Sequence, residues 1–224
     1  MTAVFVTGTG TDVGKTFVTA ALIRILRERR RSVDVLKPVA TGFDPNLLDG
    51  SDSALLLAAL DRPATPEALD RVTPWRYAAP LSPDMAAQRE GRALDFEALV
   101  AFTRRAVAEA RDILLIEGIG GVMVPLDERH TVLDWIAALG VPPLLVGGSY
   151  LGALSHALTA LDVLASRNLK PLAMIISETP GGVDLAATVA TIAQFARGVP
   201  VIGLRRMKDA ASLPDALQAA ADLL

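Results

Sequence analysis

The sequence predicts an α/β fold: a mainly parallel β-sheet flanked by helices on both faces, in a single domain over 1–224. Three observations carry this prediction. Apolar runs alternate with stretches of helical periodicity along the whole chain, the pattern of parallel strands joined by crossover helices. The chain has 224 residues, a length suited to one large α/β domain, and 51% of them are apolar, enough for a well-buried core. No internal repeat and no linker composition interrupts the alternation.

Residues 3–7 open the chain as a strand. A glycine-rich turn then leads into a helix over 14–30, where Val18, Ala21, Leu22, Ile25 and Leu26 recur at helical spacing and Arg24, Arg27 and Glu28 lie outside that stripe. Arg29-Arg30-Arg31 closes this helix; cations there complement the helix dipole, so the cluster reads as a helix end rather than a nucleic-acid patch. A second strand, 33–36, runs into Lys37-Pro38, and the proline biases Lys37 to extended geometry. A helix over 52–61 follows Gly50-Ser51, with Asp52 as its N-cap or a first-turn acid. The Pro- and Ala-rich segment 62–83 is expected to be a long loop or an insertion. Beyond it, helices are expected at 95–111, 131–139, 152–167, 184–197 and 213–223. They alternate with strands at 113–117, 144–147, 172–177 and 201–203. In such sheets active sites lie at the carboxyl ends of the strands.

Bulk chemistry narrows the function. The net charge is −3, without the basic excess of a nucleic-acid-binding surface. There is no cysteine, which excludes disulfides, Cys-ligated zinc, iron–sulfur clusters and a cysteine nucleophile within these residues. No run of about 20 apolar residues suggests a membrane span. The glycine-rich turn begins by residue 8, so no signal peptide fits before it, and a cytoplasmic enzyme is expected. Only four lysines occur beside 18 arginines: Lys15, Lys37, Lys170 and Lys208. Arg carries the ordinary surface charge, so Lys15 and Lys37 stand out as functional candidates. The two histidines, His130 and His156, read as structural.

The most informative stretch is Val4-Phe5-Val6-Thr7-Gly8-Thr9-Gly10-Thr11-Asp12-Val13-Gly14-Lys15-Thr16. Strand, glycine-rich loop and helix in that order make a phosphate cradle. Backbone N–H groups converge on an anion and the helix adds the positive end of its dipole. Lys15 can reach the terminal phosphates and the Thr16 hydroxyl can hold Mg2+. Five residues separate Gly8 from Gly14, one more than the usual phosphate loop has. Ile113-Leu114-Leu115-Ile116 then ends in Glu117-Gly118-Ile119-Gly120-Gly121, the form of the second metal-binding motif of a phosphate-loop NTPase, with a hard carboxylate suited to Mg2+. A third glycine-rich turn, Gly147 to Gly152, enters a helix. N–H groups left free at Gly152, Ala153, Leu154 and Ser155 would form an anion site.

Taken together, Thr7 to Thr16, Lys37-Pro38-Val39-Ala40-Thr41-Gly42, Glu117 to Gly121 and Leu151-Gly152-Ala153-Leu154-Ser155-His156-Ala157 resemble the dethiobiotin synthetase family. The long phosphate loop, Ala79-Pro80-Leu81-Ser82-Pro83 and Glu90-Gly91 match it too, and the resemblance covers about residues 3 to 176. It implies a single-domain phosphate-loop NTPase fold and an ATP- and Mg2+-dependent closure of a ureido ring from 7,8-diaminononanoate and CO2 or bicarbonate. It implies catalysis by Lys37 and Lys15 and metal ligation by Thr16, Asp52 and Glu117. Nucleotide contacts would come from Asp12, Val13, Gly14, Lys15, Thr16, Phe17, Asp52, Glu117, Gly118, Ile119 and Gly120, and from Ser177, Glu178 and Arg206 near the base. Substrate contacts would come from Thr11, Thr41, Gly152, Ala153, Leu154 and Ser155, the last four supplied across a homodimer. Ser177-Glu178 stands where many members carry Asn-Asp, and Gly203-Leu204-Arg205-Arg206 departs from a later Gly-x-x-Pro pattern. Nucleoside triphosphates other than ATP are therefore expected to serve as well.

Two alternatives stay open on the residues alone. A cobyrinate-type carboxylate-activating synthase would usually add a glutaminase domain with a Cys nucleophile. A partition or septum-positioning ATPase would usually place an extra lysine early in the phosphate loop, and its membrane-binding forms end in a basic amphipathic helix. Here 210–224 contains no Lys or Arg.

Overall fold

The computed structural model describes residues 2–206 and 215–224. Its centre is a six-stranded sheet in which every pairing is parallel. The strands are β1 (Thr2–Gly8), β2 (Val33–Leu36), β5 (Ile113–Glu117), β6 (Pro143–Gly148), β7 (Met174–Ser177) and β8 (Val201–Leu204), in the order β2-β5-β1-β6-β7-β8. The helices are α1 (Lys15–Glu28), α2 (Asp52–Ala59), α3 (Pro66–Val72), α4 (Pro83–Arg89), α5 (Phe96–Glu109), α6 (Val132–Leu139), α7 (Ala153–Ser166), α8 (Leu185–Phe195) and α9 (Asp215–Ala221). A separate parallel pair, β3 (Val39–Thr41) with β4 (Trp75–Tyr77), stands beside the main sheet.

The period-2 alternation of a strand sends successive side chains into two cores. Ala3 and Phe5 of β1 pack with Leu99, Trp135, Leu164 and Ile192 from α5 to α8. Val4 and Val6 pack instead with Val18, Leu22, Ile25 and Leu26 of α1, Leu56 of α2 and Leu217 of α9. Trp135 is fully buried, meets the Phe5 ring edge-on at 4.7 Å and donates from Nε1 to Thr103 Oγ1 at 3.0 Å, so its polar edge is satisfied in an apolar setting. Burying side chains of this size stabilises by roughly 1.5–3 kcal/mol each.

The six expected strands all form in the main sheet, and the expected helices form within two or three residues of their expected limits. The 213–223 helix is seen as Asp215–Ala221; its expected start at 213 and 214 lies outside the described residues. The clear correction is 62–83. It is not a loop: it holds α3, β4 and the first residue of α4. Thr65 caps α3 by accepting from the Ala68 N–H, and Pro66 sits in the first turn, where its missing N–H costs nothing. Trp75-Arg76-Tyr77 pairs with Val39-Ala40-Thr41, whose own apolar stretch was too short to read as a strand. Arg29 forms the C-cap of α1, and Arg31 forks onto the Asp112 carboxylate, so the arginine cluster is structural as expected. No helix among the described residues is long and apolar enough to cross a membrane.

Strand order gathers the chemistry-bearing residues. β1 lies between β5 and β6, and β2 lies outside β5, so the carboxyl ends of β1, β2 and β5 are neighbours. The register pairs Val6 with Glu117 and Leu36 with Ile116. The phosphate loop, Lys37 and Glu117 are thereby brought to one edge.

Candidate active site

The loop leaving β1 is shaped by two left-handed residues. Asp12 has φ 57° and Gly14 has φ 94°, and Gly14 is the N-cap of α1. Aspartate tolerates that conformation; at Gly14 a side chain would be strained, and its Cβ would lie 3.0 Å from Ser177 Oγ. Val13 turns into the core beneath the loop and is buried, so only its backbone can serve a nucleotide. Lys15 is buried and folds over the loop, donating to the Gly10 carbonyl at 2.7 Å. Burial, followed by the nearby Lys37 charge, lowers its pKa to about 8.

Lys37 follows β2 in the extended geometry that Pro38 favours. Its N–H donates to the Val72 carbonyl at 3.1 Å, and its side chain is 4% exposed. Nζ lies 2.7 Å from Glu117 Oε1 and 3.0 Å from Asp52 Oδ2, with the Gly118 carbonyl at 3.5 Å. Burial pulls the pKa of this ammonium down, but the Glu117 and Asp52 carboxylates outweigh it and hold the pKa above the ordinary lysine value. Asp52 is a first-turn acid of α2, not its N-cap: Ser51 caps the helix by accepting from the Ala54 N–H. Burial raises the Asp52 pKa, yet Lys37, then Thr16 and Lys15, bring it below the usual carboxylate value.

Glu117 is fully buried at the end of β5. Its Oε1 accepts from Thr16 Oγ1 at 2.7 Å as well as from Lys37, and its Oε2 is buried with no hydrogen-bond partner. An orphaned carboxylate oxygen in the interior is costly unless something binds it. Thr16, Asp52 and Glu117 together offer hard oxygen donors of the kind Mg2+ takes, one or two carboxylates with the remaining positions left to water and phosphate. The residues present fit that ion. No cluster of three or more His, Cys, Asp or Glu exists among the described residues, so any metal here relies on this mixed set.

These groups border a cleft of about 820 Å³, within the usual range for a small-molecule site. Thr11, Asp12, Gly14, Lys15, Thr16, Phe17, Lys37, Thr41, Asp52, Ile119 and Gly120 line it, as the sequence suggested. Pro80, Leu81, Ser82 and Pro83 line it too, and sequence reasoning did not count them as site residues. The family-like Ala79 to Pro83 motif was the available signal. The β3–β4 pair puts them there: the Gly42 N–H donates to the Ala79 carbonyl at 3.0 Å, the Phe43 N–H to the Tyr77 carbonyl at 3.0 Å, and Glu90 Oε1 accepts the Ala78 N–H at 2.7 Å. A second groove of about 710 Å³, where Leu158, Leu161 and Phe195 meet Lys170 and Arg197, has no phosphate loop.

Other candidates are placed elsewhere. Ser177 lies against Gly14, behind the loop, with its Oγ buried and unpartnered. Glu178 and Arg206 are exposed and joined, the Arg206 N–H donating to Glu178 Oε2 at 2.9 Å. None of the three lines the cleft. Gly152, Leu154 and Ser155 are exposed at the start of α7, also outside it. One expectation there is corrected: the Ala153 N–H is not free, because it closes a turn onto the Tyr150 carbonyl at 3.0 Å, and its side chain is buried. His156 bonds the Tyr150 hydroxyl and His130 pairs with Asp127, both structural roles.

Known proteins resemble this chain over most of its length. A family model described as an AAA domain matches residues 2–206. An ATP-dependent dethiobiotin synthetase of Methylobacterium nodulans is 50% identical over 212 residues, covering 92% of this chain and 94% of that protein. One from Phenylobacterium zucineum is 45% identical over 225 residues, covering 98% and 96%. Among solved structures, the MinD cell division protein of Aquifex aeolicus superposes with a TM-score of 0.57 at 12% identity, covering all of this chain and 95% of that one, a likeness of fold alone.

Proposed function

The chain belongs to the ATP-dependent dethiobiotin synthetase family, and on that footing we propose how its cleft closes a cyclic urea from 7,8-diaminononanoate and CO2. The observation that carries the proposal is the convergence of Lys15, Lys37 and Asp52 on one cleft at the strand ends, with Glu117 buried behind it and bonded to Lys37 and Thr16.

An alkylamine has a pKa near 10, so at neutral pH only a small fraction is neutral and able to attack CO2. Two ammonium groups in the cleft lower that pKa and raise the neutral fraction. The amine nitrogen attacks CO2 and loses a proton, leaving a carbamate. A carbamate oxygen then attacks the γ-phosphorus of ATP, ADP departs, and a carbamic–phosphoric anhydride results. The second amine attacks the carbonyl carbon, the C–O bond to phosphate breaks, and the five-membered urea closes with release of phosphate. Negative charge grows on the carbamate and on the phosphoryl oxygens. Lys37 and Lys15, both buried at the cleft, supply the positive charge that meets it. The N–H groups of the loop from Asp12 to Thr16 cradle the β- and γ-phosphates, Phe17 borders them, and Thr11 and Thr41 orient the two amines. Thr16, Asp52 and Glu117 would hold Mg2+, which supplies charge neutralisation on the phosphates.

The substrate carboxylate lies at the far end of an apolar chain and needs its own anchor. We assign it to the start of α7 in a second subunit of a homodimer, using the exposed Gly152, Leu154 and Ser155. The support is exposure: Leu151, a large apolar residue at the head of this turn, is 91% exposed. We place the reaction in the cytoplasm, where ATP and bicarbonate are available, and assign it to 1–224 acting as one domain. The test is phosphate release on adding 7,8-diaminononanoate. It should require both bicarbonate and the diamine. ATP hydrolysis indifferent to both would replace this reading with that of a switch ATPase.

A further inference from the structure

We propose that the Lys37 ammonium competes with the divalent cation for its own carboxylate ligands, and that the cation releases Lys37 into the cleft. The inference rests on reading Thr16, Asp52 and Glu117 as the metal set. All three are tied together through the place where Lys37 ends. Glu117 Oε1 is shared by the Thr16 hydroxyl and the ammonium, each at 2.7 Å, and Asp52 Oδ2 lies 3.0 Å from the same ammonium. The ammonium thus fills the role of a cation between two carboxylates. A doubly charged ion drawn to those oxygens meets a fixed positive charge held by the same atoms, at close range and, at Glu117, away from water.

Lys37 cannot share this position with the ion at low cost. It is 4% exposed and Glu117 is fully buried, so on that side little solvent screens the repulsion, whereas Asp52, 49% exposed, opens to the cleft. It does have somewhere to go. Lys37 lines the cleft together with Lys15, Thr41 and Ser82, so an ammonium released from the carboxylates moves among the groups that surround the reacting atoms. The expected consequence is order. Until the metal–nucleotide arrives, Lys37 is engaged by Glu117 and Asp52 and does not act on the carbamate. Afterwards the carboxylates hold the metal and Lys37 is available. The protein without nucleotide should therefore bind divalent ions weakly, and should do so because of Lys37.

The test uses Mn2+ alone, with free ion counted by electron paramagnetic resonance, on the full chain, Lys37→Gln and Glu117→Gln. We expect Lys37→Gln to bind Mn2+ at least about tenfold more tightly than the parent, and Glu117→Gln to bind it more weakly. Unchanged or weaker binding in Lys37→Gln overturns the competition; if Glu117→Gln is still weakened, the ligand assignment survives. If Glu117→Gln leaves binding unaltered, assignment and competition fall together. A second measurement needs no variant. With 15N-lysine, only four ammonium resonances are possible, and the buried, ion-paired one of Lys37 should exchange slowly with water. Saturating Mg2+ without nucleotide should broaden or shift it as the ammonium leaves its carboxylates. A Lys37 resonance unmoved at saturation would overturn the proposal.

Discussion

Replacing Lys37 by glutamine separates what this residue does for catalysis from what it does for stability. Lys37→Gln removes the ammonium 2.7 Å from Glu117 Oε1 and leaves a carboxylate of zero exposure with Thr16 as its remaining donor. Breaking a buried pair by removing one partner costs about 3–5 kcal/mol, because the other charge stays behind uncompensated. Asp52 adds little to this: its side chain is 49% exposed and screened by water. For a chain of this size each kcal/mol shifts Tm by roughly 2–4 °C, so the variant should melt about 6–20 °C below the parent. The double variant Lys37→Gln/Glu117→Gln places two neutral amides where the ion pair was and should recover about 2–4 kcal/mol of that loss. Turnover should behave differently. With one transition-state donor gone, kcat should fall by about 10²-fold or more in Lys37→Gln, and the double variant should not regain it. Thermal and urea unfolding without nucleotide or metal, beside steady-state rates, give all the values needed. A double variant no more stable than Lys37→Gln would refute the charge argument, and a near-parental kcat in Lys37→Gln would refute the catalytic one.

Three further outcomes are expected. The Lys15 pKa of about 8 lies below the ordinary 10.5, and a bound phosphate favours the charged form, so nucleotide affinity should be level below pH 8 and fall by up to about tenfold per unit above it; calorimetric titrations giving the same Kd from pH 7 to 9.5 would count against a burial-depressed Lys15. Base selectivity should be loose, because Ser177 has no amide to pair with a base edge and its one hydroxyl is buried against Gly14: kcat/KM for CTP, GTP or UTP should fall within about 5- to 30-fold of ATP, and ratios beyond about 10³ would show that other groups read the base. Ser155→Asp, an exposed change at the start of α7, should raise KM for the diamine far more than KM for nucleotide, and sedimentation should give a dimer at micromolar concentration; a fully active monomer would contradict the shared site.

Much of the site was legible because it sits where local sequence and topology agree. Gly14 needs a left-handed backbone, Pro38 sets the path of Lys37, and Glu117 ends an unbroken apolar strand; each can be read within a few residues. The contribution of 80–83 was less legible because it depends on pairing across sequence. Val39–Thr41 is too short to announce itself as a strand, and it becomes one only against Trp75–Tyr77. Ala153, at the start of α7, departs from its expected role for a different reason. Glycine-rich turns before helices often leave N–H groups open, but here Tyr150 supplies a local carbonyl for Ala153, a matter of turn geometry that composition does not encode. The contact of Ser177 with Gly14 likewise needs the strand order, since 162 residues separate them in the chain.

The two-stranded pair of β3 and β4 shares no ladder with the six-stranded sheet. The phosphate loop and Glu117 are held by that larger ladder, whereas Thr41 and the 80–83 segment are carried by the smaller one. Most phosphate-facing groups and the 80–83 wall of the cleft thus hang from different ladders, with Asp52, carried between β3 and β4, as the exception. Exchange of the 39–91 segment between relatives would leave the register of the central strands untouched. Lys37 and Asp52, joined at 3.0 Å across the seam between the two ladders, are the positions that have to suit both pieces.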